Sequence, residues 1–179
     1  MRTALILLFL MSSGVNEILA CSCKGPMTIN DAFKNTETII HGTVLQKSIV
    51  SFSKAMDQDK ANSLRHALKE DQQRLELLES DFIVRIELLV AKVYKGNVSN
   101  DTINVYTSRT SASCGFTEFE VGKDFLIYAS SQSHAFDFFN RGSSNVRLEQ
   151  ENSHWTNHCT RTKGFDVREA AELESLMAK

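Results

Sequence analysis

Along most of the chain the apolar positions fall in short β-branched runs rather than helical repeats. The first, TIIHGTVLQKSIV from Thr38 to Val50, reads as a strand that bends near Gly42. From Ser53 to Glu79 the character changes: Ala, Leu, Lys, Glu and Gln dominate, without Gly or Pro. Met56, Leu64, Leu68, Leu75 and Leu78 recur at helical spacing, which predicts one long helix or a helical pair. Residues 53–80 therefore read as a helical insertion between strands, its charged faces solvated and its apolar side packed on the rest of the fold. The strand pattern resumes in DFIVRIELLVAKVY, Asp81 to Tyr94, and a polar turn over Lys95–Asp101 leads into TINVYTS. KDFLIYAS, residues 123–130, is the next strand. Residues 131–158 are polar, with one more strand placed around Asn145 to Glu149. At the end, DVREAAELESLMA predicts a helix capped by Asp166, with Val167, Ala171, Leu173 and Leu176 partly on one face. The expected class is mainly β with helices, a small closed or partly open barrel with helices packed outside. No repeat or low-complexity linker divides it, so one domain is expected.

The first twenty residues change the picture of where the chain works. Arg2, the apolar run Ala4–Met11 and the small residue Ala20 form an export signal, too short to span a bilayer. Residues 21–179 are then the mature protein, about 159 residues long, enough for a single core. Removing Arg2 and Glu17 with the leader leaves the net charge at −2, which points to no nucleic-acid partner. A secreted monomer is expected, or a periplasmic or envelope protein in a bacterium.

The sequence holds four cysteines, Cys21, Cys23, Cys114 and Cys159. In an exported chain these make two disulfides, for which sequence allows three pairings. Cys21 and Cys23 do not readily bond each other across one residue. Each therefore reaches a distant partner, and the new N-terminus is fastened at two points where termini ordinarily fray. His154 and His158, four apart beside Cys159, have a spacing that could hold a metal on a helix, but no fourth ligand accompanies them and they read as polar surface residues. Asn97 and Asn100 lie in the glycosylation sequons NVS and NDT of a surface turn, relevant in a secretory eukaryote. No Ser/His/Asp set, phosphate-binding glycine loop or carboxylate pair stands out, so neither an enzyme nor a cofactor is expected.

CSC at the mature start, VYKG at 93–96, SASCGF at 111–116 followed by DFLIYA, and HCTRT at 158–162 occur in the order that resembles the N-terminal inhibitory domain of the tissue inhibitors of metalloproteinases, a netrin-like module with an OB-type barrel. The resemblance spans nearly the whole mature chain on sparse matches. It implies the disulfides Cys21–Cys114 and Cys23–Cys159, each contributing on the order of 4 to 5 kcal/mol on the chain-entropy model. It implies a ridge of Cys21, Ser22, Cys23 and Lys24 beside Ser111, Ala112, Ser113, Cys114 and Gly115. It further implies that the free α-amine and carbonyl of Cys21 chelate the catalytic zinc of a target metalloproteinase, the chain needing no metal of its own. Ser22, small and polar, would enter the specificity pocket and give broad inhibition. Two features depart from the family pattern. Phe33 or Lys34 in DAFK stands where a third disulfide usually begins, and the insertion lies in a loop that borders the ridge. Read alone, the same fold also suits a binding module for a matrix, envelope or receptor partner. ILAC at 18–21 also reads as a bacterial lipobox, in which lipidation of Cys21 would anchor the chain to a membrane and block its amine.

Overall fold

The computed structural model describes residues 23, 25–131 and 154–178. Its spine is an antiparallel pair of long strands, β1 (Thr38–Val50) and β2 (Ile83–Lys95). Both are rich in Val and Ile, whose branched side chains suit a pleated surface. The expected bend in β1 is present as a register shift between His41 and Gly42, with another between Val44 and Gln46. Gly42 is needed there because an added Cβ would lie 2.5 Å from the Leu89 carbonyl oxygen. The first half of β2 pairs with β3 (Thr102–Ser108), and the first half of β1 with β4 (Asp124–Ala129). Two short strands complete the sheet. β5 (His154–Trp155) runs parallel to β3, and β6 (Lys163–Gly164) antiparallel to β4. The order is β5-β3-β2-β1-β4-β6, an open six-stranded sheet. One antiparallel bridge links Ser130, just past β4, to Trp155 of β5.

Four α-helices accompany the sheet among the described residues. The first, α1 (Ile29–Asn35), has no counterpart in the sequence-based expectations. Thr28 caps it by accepting the Asp31 N–H at 3.1 Å. Phe33, in the segment where the resembled family begins a third disulfide, instead packs with Ile29 and Ala32 against Ile39, Tyr94, Leu126 and Tyr128. The insertion resolves into a pair, α2 (Gln58–Ala67) and α3 (Gln72–Glu79), separated because Asp57 and Asp71 each cap a new start. Arg65 binds Glu79 at 2.7 Å across the pair. The apolar side of the insertion is core: Met56, Leu64, Leu68 and Leu78 cluster with Val50, Phe52, Ile83 and Trp155. Leu64→Ala is accordingly expected to cost about 2–3 kcal/mol in urea denaturation, whereas a change below about 0.5 kcal/mol would mark the insertion as an independent appendage.

Two expectations need correction. In α4 (Val167–Met177) the buried residues are Glu169, Ala170 and Leu173, while Val167 and Ala171 are exposed. The helix turns a carboxylate inward because buried partners await it. His154 is not a surface residue but a buried member of β5, and burial lowers its pKa. The strand expected around Asn145 to Glu149 lies outside the described residues. The β2–β3 turn exposes both Asn97 and Asn100. Among the described residues no helix is long and apolar enough to cross a membrane.

Candidate functional site

At the end of β3 the chain turns sharply through a 3-10 turn, Ser111–Ser113. Thr110 organises it: its carbonyl accepts the N–H groups of Ser113 at 3.2 Å and Gly115 at 2.8 Å, and its hydroxyl lies 2.8 Å from that of Ser113. Cys114 closes the turn in the left-handed region, φ 62° and ψ 18°. A side chain rarely adopts that conformation unless its surroundings impose it. The constraint is the next residue. Gly115 lies so close to the end of β3 that an added Cβ would sit 1.9 Å from the Ser108 carbonyl oxygen. Phe116 then anchors the exit, its N–H donating to the buried Thr107 hydroxyl at 2.9 Å. Ser111 and Ala112 are exposed, Ser113 and Cys114 half-buried. The turn is thus a small, rigid, outward-facing knuckle.

A second segment, residues 156–162, clamps this knuckle to the N-terminal chain. The Asn157 side chain accepts the N–H groups of Cys159 and Thr160 at 2.8 and 3.1 Å, an Asx-type turn that shapes the loop. His158 N–H donates to the Cys114 carbonyl at 2.7 Å. Its neighbour Cys159 is bonded to Cys23, with Cα atoms 5.1 Å apart. One dipeptide therefore holds the knuckle with its backbone and the N-terminal stretch with its sulfur. The Cys23–Cys159 pairing implied by the family resemblance is present. Cys114 is also disulfide-bonded. Cys21, Ser22 and Lys24, the other expected ridge residues, lie outside the described residues.

The loop is itself fastened to the sheet by two threonines. Thr156 Oγ1 donates to the Tyr128 carbonyl at 3.0 Å and lies 2.6 Å from Thr162 Oγ1, which accepts the Tyr128 N–H at 2.9 Å. Thr156 N–H donates to the Tyr106 carbonyl at 2.9 Å. At its far end, Arg161 forks onto the buried Glu169 carboxylate, Nε to Oε1 at 2.8 Å and Nη2 to Oε2 at 2.9 Å. Its remaining Nη1 donates to the Met27 carbonyl at 2.6 Å. The hydrogen bond to Glu169 raises the Arg161 pKa further, so the guanidinium stays charged. Tyr128 also donates to Glu169, at 2.6 Å, and burial followed by that bond holds its phenol far above the ordinary range. Lys163 pairs with Asp166 at 3.0 Å, which lowers the Asp166 carboxyl and raises the lysine.

The family resemblance singled out Cys23, Cys159 and residues 111–115, and His158 read from sequence as a polar surface residue; Asn157, Arg161 and Met27 were missed. Asn157 and Cys159 carried a local signal, an Asx turn in NHCT. Arg161 carried none, since its partners stand 8 and 134 positions away. Between Cys23, residues 25–27 and residues 158–161 lies an open cleft of about 280 Å³. Among the described residues no cluster of His, Cys, Asp and Glu could hold a metal. What the arrangement presents is a backbone stretch in a fixed frame. No protein-family model matches this chain, and no curated protein does either.

Proposed function

We propose that this is an exported, single-domain, netrin-like protein that inhibits zinc metalloproteinases through its mature N-terminus. One observation carries the reading: Cys159 and His158 clamp Cys23 and the Cys114 knuckle to each other. A catalytic zinc keeps one coordination position open for water. The amine and carbonyl of one terminal residue can replace that water as a five-membered chelate. Holding such a residue in a rigid frame removes most of the ordering cost that a free peptide bears. In this reading Cys21 supplies the two donors, Ser22 enters the adjoining specificity pocket, and Ser111–Gly115 forms the flanking contact. The bridge between Ser130 and Trp155 supports a barrel of OB type, because it draws the far edge of β3 toward the end of β4 through β5.

The test compares two refolded, disulfide-bonded proteins against a panel of zinc metalloproteinases, one beginning at Cys21 and one with an alanine added before it. The first is expected to inhibit and the second to be about 100-fold weaker, a loss of about 2.8 kcal/mol, because the amine has become an amide. Chelation needs the neutral amine, whose ordinary pKa is about 8. Affinity of the first protein should therefore fall as pH drops below that value, and the alanine-extended control should lack this dependence. Equal inhibition by the two proteins, or none by the first, would overturn the proposal.

A further inference from the structure

We propose that Arg161 is a positioning residue for the N-terminal stretch: it fixes the path that residues 25–27 take between the Cys23 disulfide and α1. The functional consequence rests on the reading of the terminus as an inhibitory element; the positioning itself does not. Residues 25–27 belong to no helix or strand. Gly25 has φ +91° with nothing within 4 Å of an added Cβ, and Pro26 has no N–H to donate. The stretch is tied at one end by the Cys23 disulfide and at the other by Thr28, the cap of α1. Two end points alone leave the course of the residues between them undetermined. Arg161 adds a third point, four residues along from Cys23, at the Met27 carbonyl. Three points fix that course.

Arg161 can serve as a fixed post because its guanidinium is planar and both other prongs are occupied by Glu169. Glu169 is itself immobilised, its side chain 2% exposed on the inner face of α4. It also accepts the Tyr128 hydroxyl. Position is thus transmitted from β4 and α4 through a carboxylate and a guanidinium to a backbone carbonyl. The cleft lined by Cys23, Gly25, Pro26 and Met27 on one side and by residues 158–161 on the other is the space between the disulfide and the Arg161–Met27 bond. Without the Arg161 fork Met27 loses its bond to the 158–161 side, and the Cys23–Cys159 disulfide is left to hold the segment there. Lysine cannot substitute, because one ammonium cannot reproduce two parallel bonds to Glu169 and a third to Met27 in a fixed plane.

The experiment uses the disulfide-bonded protein from Cys21 and its Arg161→Lys and Glu169→Gln variants, the latter keeping the shape of the carboxylate while weakening its grip on the guanidinium. Backbone NMR order parameters are read at the Gly25, Met27 and Thr28 amides and in β1 and β2, alongside the inhibition constant for a zinc metalloproteinase that the parent protein inhibits. In both variants the three local order parameters are expected to fall from about 0.85 to below about 0.6, with those of β1 and β2 unchanged. Inhibition is expected to weaken about tenfold at a temperature where parent and variants are folded. Unchanged order parameters at Gly25, Met27 and Thr28, or a decrease that is uniform across the fold, would overturn the positioning role. A local decrease with an unchanged inhibition constant would overturn its contribution to inhibition. If the parent inhibits nothing yet the local order parameters fall as expected, the proposed function falls and the positioning role stands.

Discussion

Gly115→Ala is expected to destabilise the protein by about 4 kcal/mol or more, or to prevent folding. The added methyl carbon would sit 1.9 Å from the Ser108 carbonyl oxygen, 2.7 Å from its carbon and 2.8 Å from the Thr110 carbonyl oxygen. All three are backbone atoms, so no rotamer change relieves the clash. Moving the segment away would break the Gly115 N–H bond to Thr110 and the Phe116 N–H bond to Thr107. The Phe116 ring would shift with it, and that ring packs edge-on against Phe119 and Phe125 in the main core. A loop substitution would therefore be felt as a core defect. Gly164→Ala is the control, because nothing lies within 4 Å of its added Cβ. It should stay within about 0.5 kcal/mol of the parent. Urea denaturation at constant slope measures both. A Gly115→Ala protein as stable as the Gly164→Ala one would show that the turn can relax, and the knuckle could no longer be called rigid.

The long strands were legible because their signal is local. Thr38–Val50 and Ile83–Lys95 are rich in β-branched residues, and the glycine in the first marks its register shift. The start of α4 was legible for the same reason, since Asp166 accepts two N–H groups of the first turn. What sequence concealed is whatever depends on partners far along the chain. β5 and β6 are two residues each and exist only through pairing with β3 and β4. The helix α1 is seven residues long, and only Thr28 and Asp31 announce it. At the candidate site, cysteine spacing set aside a Cys21–Cys23 bond and left two disulfide pairings open. The family resemblance selected Cys23–Cys159, and the structure contains it. The brace behind that disulfide was invisible because a glutamate in a helix pattern reads as solvent-facing. Glu169 reverses that rule, and with it the apparent face of α4.

Glu169→Ala is expected to cost about 3–5 kcal/mol, the usual penalty for removing one member of a buried ionic pair. The magnitude follows from what is left behind rather than from what the pair contributes. The Tyr128 hydroxyl, buried and 2.6 Å from the carboxylate, loses its acceptor. Arg161 keeps its charge in a partly buried position with both parallel bonds gone. Lys163, 3.5 Å away, retains Asp166 and suffers least. Tyr128→Phe separates these parts. It removes the stranded hydroxyl, so Glu169→Ala made in that background should cost less than in the parent, and the difference is the coupling between the two residues. The same tyrosine sets an alkaline limit. Its folded-state pKa lies above the ordinary value of about 10, so above that pH the unfolded chain loses the phenolic proton first. The stability linked to this proton is complete below about pH 10 and declines as pH rises beyond it. Tyr94 and Tyr106 are shifted the same way by burial, so the decline is shared. The thermal midpoint of the parent should thus fall more steeply above that pH than that of Tyr128→Phe. Parallel curves, together with a Glu169→Ala cost below about 1 kcal/mol, would mean that the carboxylate only fills space beneath α4. A large cost and diverging curves would mean that the N-terminal stretch is held by a charge network rooted in the core, which the disulfide at Cys23 alone does not provide.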